Sequence, residues 1–119
     1  MKLFLQVFAL ALFVLTAHAK DVSYKGTKPD VIIDVRTPDE FSAGHIEGAI
    51  NIPVDKLGQG IQLIQGLKKD SPILLYCRSG RRSAIAKSAL EQQGYKRILD
   101  GGGVEELAKN LKVCVDKTC

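Results

Sequence analysis

Tryptophan is absent from this chain of 119 residues, histidine occurs twice and cysteine three times. Three cysteines are too few for the disulfide-dense scaffold of a toxin-like secreted domain. There is no internal repeat and no low-complexity stretch. With 45% apolar and 25% charged residues the composition is that of an ordinary globular protein, neither disordered nor collagen-like. Neither sign of charge dominates. Seventeen basic against thirteen acidic residues give +4, a mild excess whose sign alone indicates no nucleic-acid partner. The length suits one domain and is short for two.

Only one long apolar run is present. Met1-Lys2 is followed by Leu3 to Thr16, with no charge and a single amide, Gln6, and then by Ala17-His18-Ala19. The run falls short of the roughly 20 residues that span a bilayer. A short positive start, an apolar stretch and an A-x-A end are the pattern of a secretory signal peptide. Cleavage after Ala19 is expected, leaving residues 20–119 as a single domain of 100 residues, enough to bury one core. Removing Lys2 leaves sixteen basic against thirteen acidic residues, or +3, and His45 as the remaining histidine. The expected location is the periplasm, with no membrane contact after cleavage.

Along the mature chain the pattern alternates. Lys20 to Pro29 is a polar lead-in, with a short edge strand expected at Val22-Ser23-Tyr24. Val31 to Val35 is β-branched and lacks clean alternation, as in a strand covered on both faces. Thr37 can cap a helix that starts at Pro38, with Glu40 completing a capping box and Gly44 ending it. Ala49 to Pro53 reads as a second buried strand. Leu57, Ile61 and Ile64 have helical spacing within 55–67, weakened by Gly58, Gly60 and Gly66. A strand over Ile73 to Tyr76 runs into Cys77. A helix over 83–93, a strand over 97–100, a tight turn at Gly101-Gly102-Gly103 and a helix over 104–111 complete the chain. The order β-α-β-α-β-α-β-α implies an α/β fold. Its central sheet is mostly parallel, of four to five strands, with helices on both faces and sites at the strands' carboxyl ends.

Cys77 lies at such an end, and Cys77-Arg78-Ser79-Gly80-Arg81-Arg82-Ser83 leads from strand to helix. Successive N–H groups in such a turn can converge on one anion, and the helix N-terminus adds partial positive charge. The three arginines add full charges. A cysteine placed here should have a depressed pKa and act as a thiolate nucleophile, beside a site for an anionic substrate.

Two segments resemble the rhodanese-like sulfurtransferase domain family. One is Ile33-Asp34-Val35-Arg36-Thr37-Pro38-Asp39-Glu40-Phe41, continuing through Gly44-His45-Ile46-Glu47-Gly48-Ala49-Ile50-Asn51-Ile52-Pro53. The other is Tyr76 to Ser83. The resemblance runs from about Asp30 to Leu107, and with a signal peptide and one domain it is similar to the periplasmic thiosulfate sulfurtransferases of the phage-shock type. It implies that Cys77 attacks the outer sulfur of a small anionic donor such as thiosulfate and carries the sulfur as a persulfide to cyanide or a thiol. The substrate-binding residues implied are Arg78, Ser79, Gly80, Arg81, Arg82 and Ser83. No cofactor and no metal are implied, in keeping with one mature histidine and no cysteine pair at ligand spacing. A monomer is expected.

Loop length separates this reading from phosphatases and arsenate reductases of the same fold. The phosphatases carry C-x5-R, whereas Arg82 stands one position early. The other alternative is a binding module or sulfur carrier that does not turn over. Presence of Cys77 favours the enzyme. Asp34, Arg36 and Glu40 read better as structural support than as an acid–base set, and His45 as a turn or packing residue. The family commonly has Gly-Gly, three residues, then Trp; here Leu107 stands at that place. Cys114 and Cys119 lie outside the resemblance. In an exported protein they suggest a disulfide, with a resolving thiol at Cys119 as the alternative.

Overall fold

The computed structural model describes residues 22–115. The expected signal peptide, its cleavage point and Cys119 lie outside the described residues. Four strands form one sheet in the order β2-β1-β3-β4: β1 is Val31–Asp34, β2 Ile50–Asn51, β3 Ile73–Cys77 and β4 Ile98–Gly103. Every pairing is parallel. The helices are α1 Pro38–Ala43, α2 Leu57–Gly60, α3 Arg81–Gln92 and α4 Val104–Leu111. None among the described residues is long and apolar enough to cross a membrane.

β1 and β3 are buried at every position. Alternation sorts their side chains into two cores, as the period of two in a strand requires. Ile33, Ile73, Leu75 and Cys77 pack with Leu57, Ile61, Ala86 and Leu90 on the α2/α3 face. Ile32, Leu74 and Tyr76 pack with Phe41, Val104, Leu107 and Leu111 on the α1/α4 face. A fully covered parallel sheet explains why these strands read as continuous apolar runs.

Several boundaries differ from the sequence-based expectation. The second strand shrinks to Ile50–Asn51 and is half-buried, because it lies at the sheet edge. The expected helix over 55–67 breaks into a 3₁₀ turn at Val54–Lys56, the single turn α2 and a second 3₁₀ turn at Ile61–Leu63. Its glycines weaken the helix, and Gly60 approaches Ile52 so closely that a Cβ would stand 2.6 Å from that side chain. Tyr24 forms a bridge with Thr27 across a tight turn instead of an edge strand. Helix α3 begins two residues early, at Arg81.

The Gly101-Gly102-Gly103 segment is not a turn but the bulged end of β4. Leu75 pairs with Asp100 and Cys77 with Gly103, so β4 carries one extra residue. Gly102 takes the positive φ of 72° at the bulge. A Cβ on Gly101 would meet Leu107 at 2.7 Å and the Leu75 carbonyl at 2.9 Å, and one on Gly103 would meet the Arg78 carbonyl at 2.8 Å. Close approach of neighbouring atoms accounts for glycine at 101 and 103, and the positive φ accounts for it at 102. Leu107 is fully buried against this segment, filling the place where the family commonly has Trp.

Candidate active site

Loops leaving the carboxyl ends of β1 and β3 form the site. The first begins with Asp34, a carboxylate with no exposed surface. Its Oδ1 accepts the Arg36 N–H at 2.9 Å and Nε at 3.0 Å, and its Oδ2 accepts Nη2 at 2.7 Å. Arg36 Nη2 also donates to the Gly44 carbonyl at 2.6 Å, tying the loop to the end of α1. Asn51 Nδ2 donates to the carbonyls of Asp34 and Arg36 at 3.0 and 2.9 Å. Sequence reasoning missed Asn51, whose only signal is an amide at a strand end beside this loop.

Tyr76 completes this buried set. Its hydroxyl accepts the Ile46 N–H at 3.0 Å, and the Arg36 guanidinium stands 5.7 Å from its ring centre. Burial, with the Asp34 carboxylate nearby, pushes the phenol well above its ordinary range, so it stays neutral. His45 stacks on Phe41 with ring centres 3.6 Å apart and donates from Nδ1 to the Phe41 carbonyl at 2.9 Å. Its role is packing at the helix end.

In the second loop, Cys77 is a free cysteine with no exposed surface, at the last position of β3. Its Sγ accepts the Gly80 N–H at 2.8 Å and lies 3.6 Å from Ser83 Oγ. Gly80 has a φ of 100°, the left-handed conformation that folds its amide back onto the sulfur. Ser83 is fully buried and its hydroxyl donates to the Gly80 carbonyl at 3.0 Å; rotation would turn the same proton toward a thiolate. Burial by itself raises the thiol pKa. Hydrogen bonds from the Ser83 amide and hydroxyl and from the Gly80 and Ser79 amides outweigh it, leaving the pKa below its ordinary value. The arginines are not among these leading causes.

The three arginines take different places. Arg82 reaches across to α1, where Nη1 donates to Glu40 Oε1 at 2.6 Å and Nη2 to Oε2 at 2.9 Å. The carboxylate also caps α1, accepting the Thr37 N–H at 3.1 Å while Thr37 Oγ1 accepts the Glu40 N–H at 3.3 Å. Glu40 therefore joins the two loops, a role that no local spacing reveals. Arg81 is exposed at the first position of α3. Arg78 lines a cleft of about 530 Å³ with Arg36, Glu40, Gly44, Val104 and Glu105. Cys114 is a bonded half-cystine, and the expected pairing with Cys119 involves a residue outside the described ones. Among the described residues no cluster of histidine, cysteine or carboxylate side chains could hold a metal ion.

The geometry is a buried thiol whose pKa is lowered by main-chain donors, next to exposed positive charge. Such a sulfur can displace a leaving group from a small electrophile and hold the resulting anion in the same amides. Comparison with known proteins agrees with that chemistry. The profile of the rhodanese-like domain matches residues 18–109. A thiosulfate sulfurtransferase of Escherichia coli K12, PspE, is 37% identical over 76 residues, covering 64% of this chain and 72% of that protein. A mitochondrial protein of Schizosaccharomyces pombe is 42% identical over 83 residues, 61% of this chain, and the chain spans 58% of its length. The solved structure of a rhodanese with anions from E. coli superposes with a TM-score of 0.60 at 34% identity, covering 64% of this chain and 88% of that one.

Proposed function

The chain belongs to the rhodanese-like domain family of sulfurtransferases, and from that premise we propose that it is a thiosulfate sulfurtransferase working through a persulfide on Cys77. The observation that carries this reading is the Gly80 amide 2.8 Å from a buried, free Sγ at the end of β3. The thiolate attacks the outer sulfur of thiosulfate. The sulfur–sulfur bond of the donor breaks and sulfite leaves with the electron pair. The sulfane sulfur, now bonded to Sγ, lies among the amides of Ser79, Gly80 and Ser83. Cyanide or a thiol then removes it and Cys77 returns to the thiolate.

Donor and thiolate are both anionic, and their repulsion must be offset at short range. Arg78 and Arg81 supply that positive charge on the approach, while Arg82 braces the loop through Glu40. Export to the periplasm through residues 1–19 belongs to the same proposal and rests on that segment's sequence.

Mass spectrometry of the purified protein after thiosulfate treatment tests the reading. The parent should gain one sulfur atom, about 32 Da, and Cys77→Ser none, with cyanide turnover lost in the same variant. A parent that loads but never turns over would be a carrier. Retained turnover in Cys77→Ser would overturn the assignment of the nucleophile.

A further inference from the structure

Arg82 differs from the other two arginines of the loop after β3. Arg78 and Arg81 are exposed, whereas Arg82 is half-buried at the second position of α3. It stands in the chain between Gly80 and Ser83, whose amide and hydroxyl lie 2.8 and 3.6 Å from Cys77 Sγ. The Glu40 hydrogen bond, opposed by burial, raises the pKa of the guanidinium, and the charge of the Cys77 thiolate adds to the rise. Arg82 and the sulfur therefore feel each other's charge. Yet the side-chain hydrogen bonds of Arg82 among the described residues go to Glu40 alone, from Nη1 to Oε1 and from Nη2 to Oε2.

The two carboxylate oxygens fill a fork that would otherwise fit two oxygens of a bound oxyanion. An anion seated among the amides around Sγ and the Glu40 carboxylate thus compete for one guanidinium. The contest is even enough to matter, because both side chains of the pair are partly exposed and solvent screens their attraction. We propose that Glu40 is a specificity-determining residue: it competes with bound oxyanions for Arg82 and holds their affinity for the Cys77 cradle below what the loop could provide. Sulfate has the donor's charge but no outer sulfur to give, so it can only obstruct. Thiosulfate loses less by the competition, since its outer sulfur goes on to bond with Sγ. The proposal rests on the sulfurtransferase reading for placing anions at Cys77 and concerns which anions stay there.

The test is protection of Cys77 from iodoacetamide by sulfate, at constant ionic strength and with the site of alkylation read from peptide masses. Each protein is referred to its own sulfate-free rate. Glu40→Gln removes the charge, keeps the cap on α1 and leaves Arg82 only a neutral acceptor. The sulfate concentration for half-protection should fall by about fivefold in this variant, the size of one partly exposed ion pair. In Glu40→Gln combined with Arg82→Ala the gain should vanish. Half-protection at the same or higher sulfate in Glu40→Gln would overturn the proposal, because a brace that is merely loosened does not tighten binding. A gain that survives Arg82→Ala would overturn it as well, since it would come from the lost negative charge and not from the released arginine. So would the absence of protection in all three proteins. Thiosulfate loading of the parent, followed by mass, is a separate arm. Its failure would count against the sulfurtransferase reading, while competition for Arg82 is decided by the sulfate series, which involves no sulfur transfer.

Discussion

After β1 the chain is held by charged side chains: Asp34 and Arg36 lock together with almost no exposed surface, the Gly44 carbonyl accepts from the guanidinium, and Asn51 donates to the main-chain carbonyls of both residues. After β3 the chain turns around a sulfur that is met by main-chain amides and one hydroxyl, with its arginines directed outward or toward Glu40. The difference follows the work of each loop. The β1 loop has a permanent charge and can fix it with a permanent partner. The β3 loop surrounds an atom proposed to change from thiolate to persulfide and back. Neutral donors can follow such a change, whereas a buried guanidinium locked onto Sγ would have to be broken from it at every turnover.

The largest expected effect lies in the first loop. Arg36→Ala leaves the Asp34 carboxylate buried without its partner, which should destabilise the fold by about 3–5 kcal/mol. Arg78→Ala in the second loop should change stability by less than about 0.5 kcal/mol, because its exposed guanidinium has no ion pair among the described residues. Urea unfolding of the two variants at neutral pH measures both. Comparable losses would erase the contrast between the loops.

A smaller effect is expected where β4 backs the second loop. Gly103→Ala would place a Cβ 2.8 Å from the Arg78 carbonyl, a main-chain atom that cannot swing aside. Relieving that overlap should cost about 1–3 kcal/mol and shift the loop. The amides would then meet Sγ less well and the thiol pKa should rise. Alkylation by iodoacetamide tracks the thiolate, so its rate climbs with pH through the pKa. The parent should reach half its maximal rate below the ordinary cysteine range, and Gly103→Ala at a higher pH. An unchanged profile would mean that the cradle does not depend on the strand behind it.

Which parts were legible in the sequence follows the same division between local and distant causes. The α1 capping box, the helix stop at Gly44 and the placing of Cys77 at a strand end are local patterns, and the structure has all three. The match to the rhodanese-like domain was equally readable, since the two segments that carry it are continuous. The triple glycine differs from the expected turn because its cause is largely tertiary: β4 bulges against Leu75 and Arg78, both more than twenty residues away in sequence, as well as against Leu107 in the helix that follows. Within the helix expected over 55–67, the tight approach of Ile52 to Gly60 is likewise a contact from outside the segment. Arg82 looked like one of three equivalent cations until its partner, Glu40, was placed across the sheet.

That pair gives a small effect and the one most sensitive to pH. The Arg82 hydrogen bond, opposed by burial and assisted by Thr37, lowers the Glu40 pKa from its ordinary 4.5 to about 2. Between those values the unfolded chain binds a proton that the folded chain does not. The stabilisation is therefore complete above about pH 4.5 and is lost as pH falls toward 2. The two side chains are 31% and 25% exposed, so solvent screens the pair and its worth is about 1 kcal/mol or less. Glu40→Gln isolates this charge, because glutamine can still complete the capping box with Thr37. At pH 7 the variant should unfold at slightly lower urea than the parent. Lowering the pH should close the gap until the two coincide near pH 2, and added salt should narrow it at neutral pH. A gap of constant size down to pH 2 would mean that Glu40 joins the loops by shape and hydrogen bonding alone. Both loops would then be held without any charge passing between them.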